Sequence, residues 1–389
     1  MILTQILHAS LLALLSLPFA RADQTAEVVL VKPASSAAHG RCATPSIRKE
    51  WRTLSRDERA DFIRAANCLA RLPHTPDLKP SVFPGDIPPI NESGSYFDDF
   101  VYIHMDLNTK IHYTGHFFPW HRWYINAYET VLREKCGFQS VLPYWNWSMD
   151  ATDFQGSDFW KDPDPVSGLG GWGDPTKYFA VQDGGLAGLP LSYPSYHVLR
   201  RNFTLKPYSN APRPWVTDPD WYGNNSFTIG EVAKMINGFT GDFVGLQTEL
   251  AKFQGSHNSL HFIVGGDLGG TCPAGAPPDC VPGPTFSVND PIFFLHHAMV
   301  DKIWWDWQNR DRANFWQFSG GTVSVLDDYP QFQKYPTGAP PMMSNQHLTS
   351  VRVQLLKALR DVRGQRLRDT HNPVAIVERV DARSQPLMT

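Results

Sequence analysis

The chain alternates between segments with helical spacing of apolar residues and long polar stretches rich in proline and glycine. From Ile47, the pattern Trp51, Leu54 and then the run from Asp57 to Leu69 reads as a helix, with Ser55 near its N-cap. A proline-rich stretch over 73–89 breaks that pattern. Residues 96–107 predict a second helix, and 108–119 a loop. Residues 121–135 predict a third helix, with Trp123, Tyr124, Ile125, Ala127, Tyr128, Val131 and Leu132 as an apolar run of helical spacing, closed by Gly137. Two shorter helices follow at 229–236 and 242–253, then one at 257–264 and a last strong one at 291–310. The intervening stretch, 145–225, is rich in Gly, Pro, Asp and Trp without sustained periodicity and reads as long surface excursions. Beyond 310 the signal fades, apart from a basic and partly helical 351–368. These elements predict a mainly α fold with long irregular loops.

The 389 residues suffice for one large domain, and no linker-like segment divides them. Residues 1–22 read as a secretory signal: an interrupted apolar run too short to span a bilayer, ending in Ala20-Arg21-Ala22. Residues 23–40 read as a mobile arm, 41–330 as the functional domain and 331–389 as an uncertain tail. A formal charge of −3 implies neither nucleic acid nor an anionic membrane as partner. Secretion makes the five cysteines candidates for disulfides. Cys272 and Cys280 bracket a Pro/Gly-rich loop and are expected to pair, leaving Cys42, Cys68 and Cys136 undecided. Sequons stand at Asn91, Asn146, Asn202 and Asn224. Asn146 lies in an aromatic run and is expected to be buried and unmodified.

Histidines supply the candidate chemistry. His104 lies on the second predicted helix, His112 on the following loop, and His121 opens the third helix. His257 and His261 stand at i and i+4, on one face of a helix. Asp290-Pro291-Ile292-Phe293-Phe294-Leu295-His296-His297 leads into Asp301. Three histidines in each half suggest two metals facing each other. Neutral imidazole suits copper, whereas a zinc hydrolase would want a glutamate where Asn258 stands.

The segment from His112 to Glu129, with Trp120-His121-Arg122 and a glutamate seven positions after the arginine, resembles the first copper motif of tyrosinases, catechol oxidases and haemocyanins. Asp290 to Asp301 resembles the second. The resemblance spans roughly 41–310 and is closest to short fungal polyphenol oxidases. It implies a central antiparallel four-helix bundle holding two copper ions as a type 3 centre. His104, His112 and His121 would bind the first copper, and His257, His261 and His297 the second. His296 is set aside because adjacent helical residues point about 100° apart, and the spacing to Asp301 selects His297. His116 reads as a surface or supporting residue. Arg122 and Asp301 would fix ligand orientation. Phe117, Phe118, Trp120, Phe293 and Phe294 would wall the site in apolar surface.

The same resemblance implies oxidation of o-diphenols to o-quinones with dioxygen, and o-hydroxylation of small monophenols. For hydroxylation the expected catalytic pair is Asn258 and Glu249, with Gln247 as a weaker partner. Phe262 and Phe294 are expected to line the substrate pocket. The alternatives are a catechol oxidase or o-aminophenol oxidase without monophenolase activity, and a haemocyanin-like oxygen carrier. Only 92 residues follow His297, which favours an open site and an enzyme of phenols and catechols. Some relatives bind a cysteine to the second histidine; Lys110 stands at that position.

Overall fold

The computed structural model describes residues 46–76, 78, 90, 93–209, 216–273 and 284–320. The expected signal, arm and tail, and the sequon at Asn91, lie outside the described residues. Seven α-helices are found among them: α1 Arg56–Leu69, α2 Tyr96–Ile111, α3 Phe117–Cys136, α4 Ile229–Asn237, α5 Phe243–Ala251, α6 Ser256–Val264 and α7 Ile292–Arg310. The only paired strands among the described residues are β1 (Pro190–Leu191) and β2 (His197–Val198), antiparallel with Pro190 opposite Val198. No described helix is long and apolar enough to cross a membrane.

Local chemistry sets the helix ends. Ser55 and Ser95 open α1 and α2 through capping boxes with Glu58 and Asp98. Gly137, at φ 61°, ends α3 in the left-handed conformation that a side chain resists. Two helices run four residues past a predicted end: α2 continues to Ile111, so that His112 caps it, and α3 begins at Phe117. Cys68 and Cys136 are disulfide-bonded, tying the ends of α1 and α3 across 68 residues. Closing a loop of that size stabilises the fold by about 4 kcal/mol on the chain-entropy account. Cys272 is also disulfide-bonded; its expected partner, Cys280, lies outside the described residues.

The segment expected to run over the surface is instead part of the core. Trp145, Trp147, Phe154, Phe159 and Trp160 are buried, and Trp145 stacks on Phe159 at 4.4 Å. Its aromatic content, not its lack of periodicity, reported its location. Arg201 anchors this segment. Fully buried, it pairs with Asp290 at 2.7 Å and donates to the carbonyls of Leu169 and Gly170. Asn146 is half-buried rather than enclosed, and its amide oxygen accepts from Ser148.

Candidate metal centre

The expected ligands come from four helices, α2, α3, α6 and α7, and from the residue that caps α2. His104, on α2, is buried, with its ring 4.9 Å from that of His112 and 5.7 Å from that of His121. His257 and His261 lie one turn apart on α6, ring centres 4.7 Å apart. The side-chain donor atoms of His104, His112 and His121 lie within 4.8 Å of one another. A second cluster, of the same closeness, comprises His257, His261, His296 and His297. The two meet where His121 of α3 stacks on His297 of α7, at 4.2 Å and 9°.

Backbone carbonyls fix the tautomers. Nδ1 of His112 donates to Asn108, Nδ1 of His121 to Phe117 and Nδ1 of His261 to Leu268, at 3.1, 2.8 and 2.8 Å. Nδ1 of His257 donates to the amide oxygen of Asn258 at 3.0 Å. Each of these four rings therefore keeps a lone pair on Nε2, the arrangement that metal-binding histidines use. The Nε2 atoms of His257 and His261 lie 3.3 Å apart. Two lone pairs at that distance repel unless a cation sits between them. Burial also depresses basicity: His112 and His261 are lowered to about 4, and His121, His257, His296 and His297 well below their ordinary value, first through desolvation. Neutral buried imidazoles with committed Nδ1 protons are a donor set that fits copper, with no thiolate or carboxylate among them.

His296 corrects an expectation. Neighbouring helical positions diverge at the backbone, yet an imidazole is long enough for both rings to reach the same cluster. Its ring lies 4.9 Å from His261 and 5.3 Å from His257, so direction alone does not separate it from His297. His116 is buried rather than at the surface, with Nδ1 donating to the Lys110 carbonyl at 3.2 Å.

Around the clusters, Phe117 and Phe293 each pack against histidines of both halves. Phe117 lies 4.9 Å from His121 and 5.0 Å from His257; Phe293 lies 5.1 Å from His104 and 4.2 Å from His297. Trp120 packs on His104 and His121. Phe118 turns away, stacking on Trp304. Arg122 and Asp301 pair directly, one residue after His121 and four after His297, so the charge pair staples α3 to α7 beside the ligands. Arg122 also lies over the Trp304 ring at 3.8 Å.

Three expected site residues are placed elsewhere. Phe294 is fully buried in the core, stacked on Tyr128 at 3.5 Å, because α7 turns it toward Phe97 and Phe100. Phe262 packs with Tyr208 and Phe253 and makes no described ring contact with a histidine. Glu249 stands on α5 with its carboxylate on Lys252 at 2.8 Å and near Lys234, not on Asn258. Gln247 is buried, and its amide oxygen has no described partner. The Asn258 amide nitrogen donates to the carbonyls of Ala251 and Lys252 and to the Tyr113 hydroxyl. Tyr113 was missed by sequence reasoning; its only signal there was adjacency to His112.

The family described as the common central domain of tyrosinase matches residues 94–310. The chain is 32% identical to tyrosinase-like protein phomQ1 of Diaporthe leptostromiformis over 70% of its length and 64% of the relative's. It is 30% identical to tyrosinase ustQ of Aspergillus flavus, covering 69% of this chain and 65% of that one. The chain thus spans just under two thirds of the length of these curated relatives. A solved polyphenol oxidase from Thermothelomyces thermophila aligns at 25% identity and a TM-score of 0.49, over 70% of this chain and 71% of that one.

Proposed function

The chain belongs to the tyrosinase family, and from that premise we propose that it is a type 3 copper oxidase that converts o-diphenols to o-quinones with dioxygen. The observation that carries this reading is the facing pair of lone pairs on His257 and His261, with both Nδ1 protons committed elsewhere. His104, His112 and His121 would hold one copper. His257, His261 and His297 would hold the other, with His297 preferred to His296 by its spacing to Asp301. A bound copper pair supplies the electron exchange between dioxygen and the diphenol. Two diphenols lose two electrons and two protons each, and one dioxygen becomes two waters.

The protein's own part is to orient and to exclude water. Carbonyls of Asn108, Phe117 and Leu268 hold three imidazoles in one tautomer, and Asn258 holds a fourth. Phe117, Phe293 and Trp120 keep the rings dry and neutral. Small phenols and catechols are the proposed substrates. Hydroxylation of monophenols is the finer reading, and Asn258 alone supports it. The Glu249 carboxylate lies on Lys252 and near Lys234 rather than on Asn258, so a monophenolase would act without it. An oxygen carrier or an o-aminophenol oxidase would use the same histidines.

Oxygen uptake by copper-loaded protein tests the reading, with 4-tert-butylcatechol and then 4-tert-butylphenol. Uptake with the catechol supports diphenol oxidation, and uptake with both adds hydroxylation. No uptake with either, at two coppers per chain, refutes the enzyme and leaves the carrier. Residues 1–22 lead us to propose export; the length of the mature N-terminus after expression in a secreting host would check it.

A further inference from the structure

The burial of the site residues is graded, and the gradient marks its open side. The histidines of α2, α3, α6 and α7 are at most 1% exposed, whereas His112 is 7% and Asn258 is 4% exposed. Between those two less buried positions stands Tyr113, 46% exposed. Its hydroxyl accepts from the Asn258 amide at 3.0 Å, reaching from the first half of the site to the second. The rings of His112 and His257, next to Tyr113 and Asn258, lie 6.2 Å apart across the two clusters.

The backbone holds the ring there against its own preference. Tyr113 has φ 54°, in the left-handed region that residues with a bulky side chain rarely adopt. The residues on either side fix it. Nδ1 of His112 donates to Asn108, and Oγ1 of Thr114 donates to the Lys110 carbonyl at 2.7 Å, which also takes Nδ1 of His116. A strained residue pinned on both sides, half in solvent and bonded across the site, is placed rather than incidental.

We propose that Tyr113 is a specificity residue: its ring narrows the approach to the histidine pair and discriminates against phenols with bulky substituents. The proposal rests on the phenol-oxidase reading of the site. The ring, not the hydroxyl, does the selecting, because Asn258 keeps two carbonyl acceptors when the hydroxyl is lost.

Tyr113→Gly removes the ring and suits the left-handed backbone, so it keeps the loop folded. Tyr113→Phe removes only the hydroxyl. Two readouts apply to copper-loaded protein of matched copper content. The first is the ratio of kcat/KM for 4-tert-butylcatechol to that for catechol. The second, independent of turnover, is the ratio of dissociation constants of 4-nitrophenol and 2,6-dimethyl-4-nitrophenol, by equilibrium dialysis. We expect Tyr113→Gly to shift both ratios about tenfold toward the bulky compound, mainly through KM, and Tyr113→Phe to shift them less than twofold. Unchanged ratios in Tyr113→Gly, or equal shifts in both variants, would overturn the proposal. If the unaltered protein oxidises neither catechol, the phenol-oxidase reading fails, and the binding ratios alone decide whether Tyr113 selects.

Discussion

Removing the metal should make this protein sharply sensitive to acid. His112, His121, His257, His261, His296 and His297 are all held neutral by burial, with His112 and His261 at about 4 against an ordinary value of 6.5. A group whose basicity is depressed by folding gives stability that is complete above its unfolded value and is lost as pH falls toward its folded one. For His112 and His261 the window therefore opens at about 6.5 and closes near 4, and the other four lose stability in the same direction. Inside it the unfolded chain binds protons that the folded chain refuses, at about 1.4 kcal/mol per group and pH unit. Asp99 opposes this, since burial raises it to about 8. It prefers to stay protonated when folded and gains stability as pH falls over the same interval. Six imidazoles against one carboxyl leave a net loss approaching 7 kcal/mol per pH unit, as an upper bound for independent groups. Domain stabilities of roughly 5–15 kcal/mol would be consumed within about two pH units. Urea unfolding of chelator-treated protein at pH 7.5, 6.5 and 5.5, followed by tryptophan fluorescence, measures this directly. Copper-loaded protein should resist longer, because metal and proton compete for the same lone pairs. Unfolding free energy of the metal-free form that stays flat between pH 7.5 and 5.5 would refute the reasoning.

Asn258→Ala should weaken copper binding at the second cluster about 10–100-fold, because His257 loses the acceptor for its Nδ1 proton; metal content after dialysis against graded chelator reads the loss. Arg201→Met leaves Asp290 buried and unpaired and should cost about 3–5 kcal/mol in unfolding free energy. Glu249→Gln should change stability by no more than about 0.5 kcal/mol and leave the ratio of monophenol to catechol uptake where it was, since its carboxylate serves surface lysines. A fall in that ratio would restore Glu249 to the site. Asp99→Asn should flatten the alkaline fall in melting temperature between pH 6 and 9, because the raised carboxyl loses stability as pH climbs through about 8.

The helices were legible because apolar spacing and caps are local. Ser55, Ser95 and Gly137 mark their ends by side-chain or backbone chemistry that needs no tertiary partner. The histidines were legible through fixed offsets: four residues along α6 make one face, and the motif spacing to Asp301 singles out one of two neighbours on α7. What was not legible depends on direction rather than spacing. Phe293 and Phe294 are equally apolar neighbours, yet one faces His104 and His297 while the other stacks on Tyr128. Nothing in their identities separates them until α7 is docked against α2 and α3. Glu249 failed similarly: a carboxylate a few residues before His257 is close in sequence, but Lys252 at the end of its own helix and Lys234 on α4 hold it outside.

His296 is the case where a local rule misled. The 100° between adjacent residues constrains where side chains leave a helix, but not where long side chains end when two other helices crowd the same space. Here α6 presents two imidazoles across from α7, so that His296 reaches its donors from one direction while His297 reaches them from another and stacks on His121. The choice of ligand then falls to what each ring touches besides its neighbours. His297 packs against Phe293 and stacks on His121, so it stands where the second cluster meets the first. His296 packs against Trp147 as well as His257 and His261, which fits a supporting place beside those two ligands. His296→Gln should accordingly retain two coppers per chain, whereas His297→Gln should lose one. Metal content decides between them, and loss of copper from the His296 variant alone would exchange their roles.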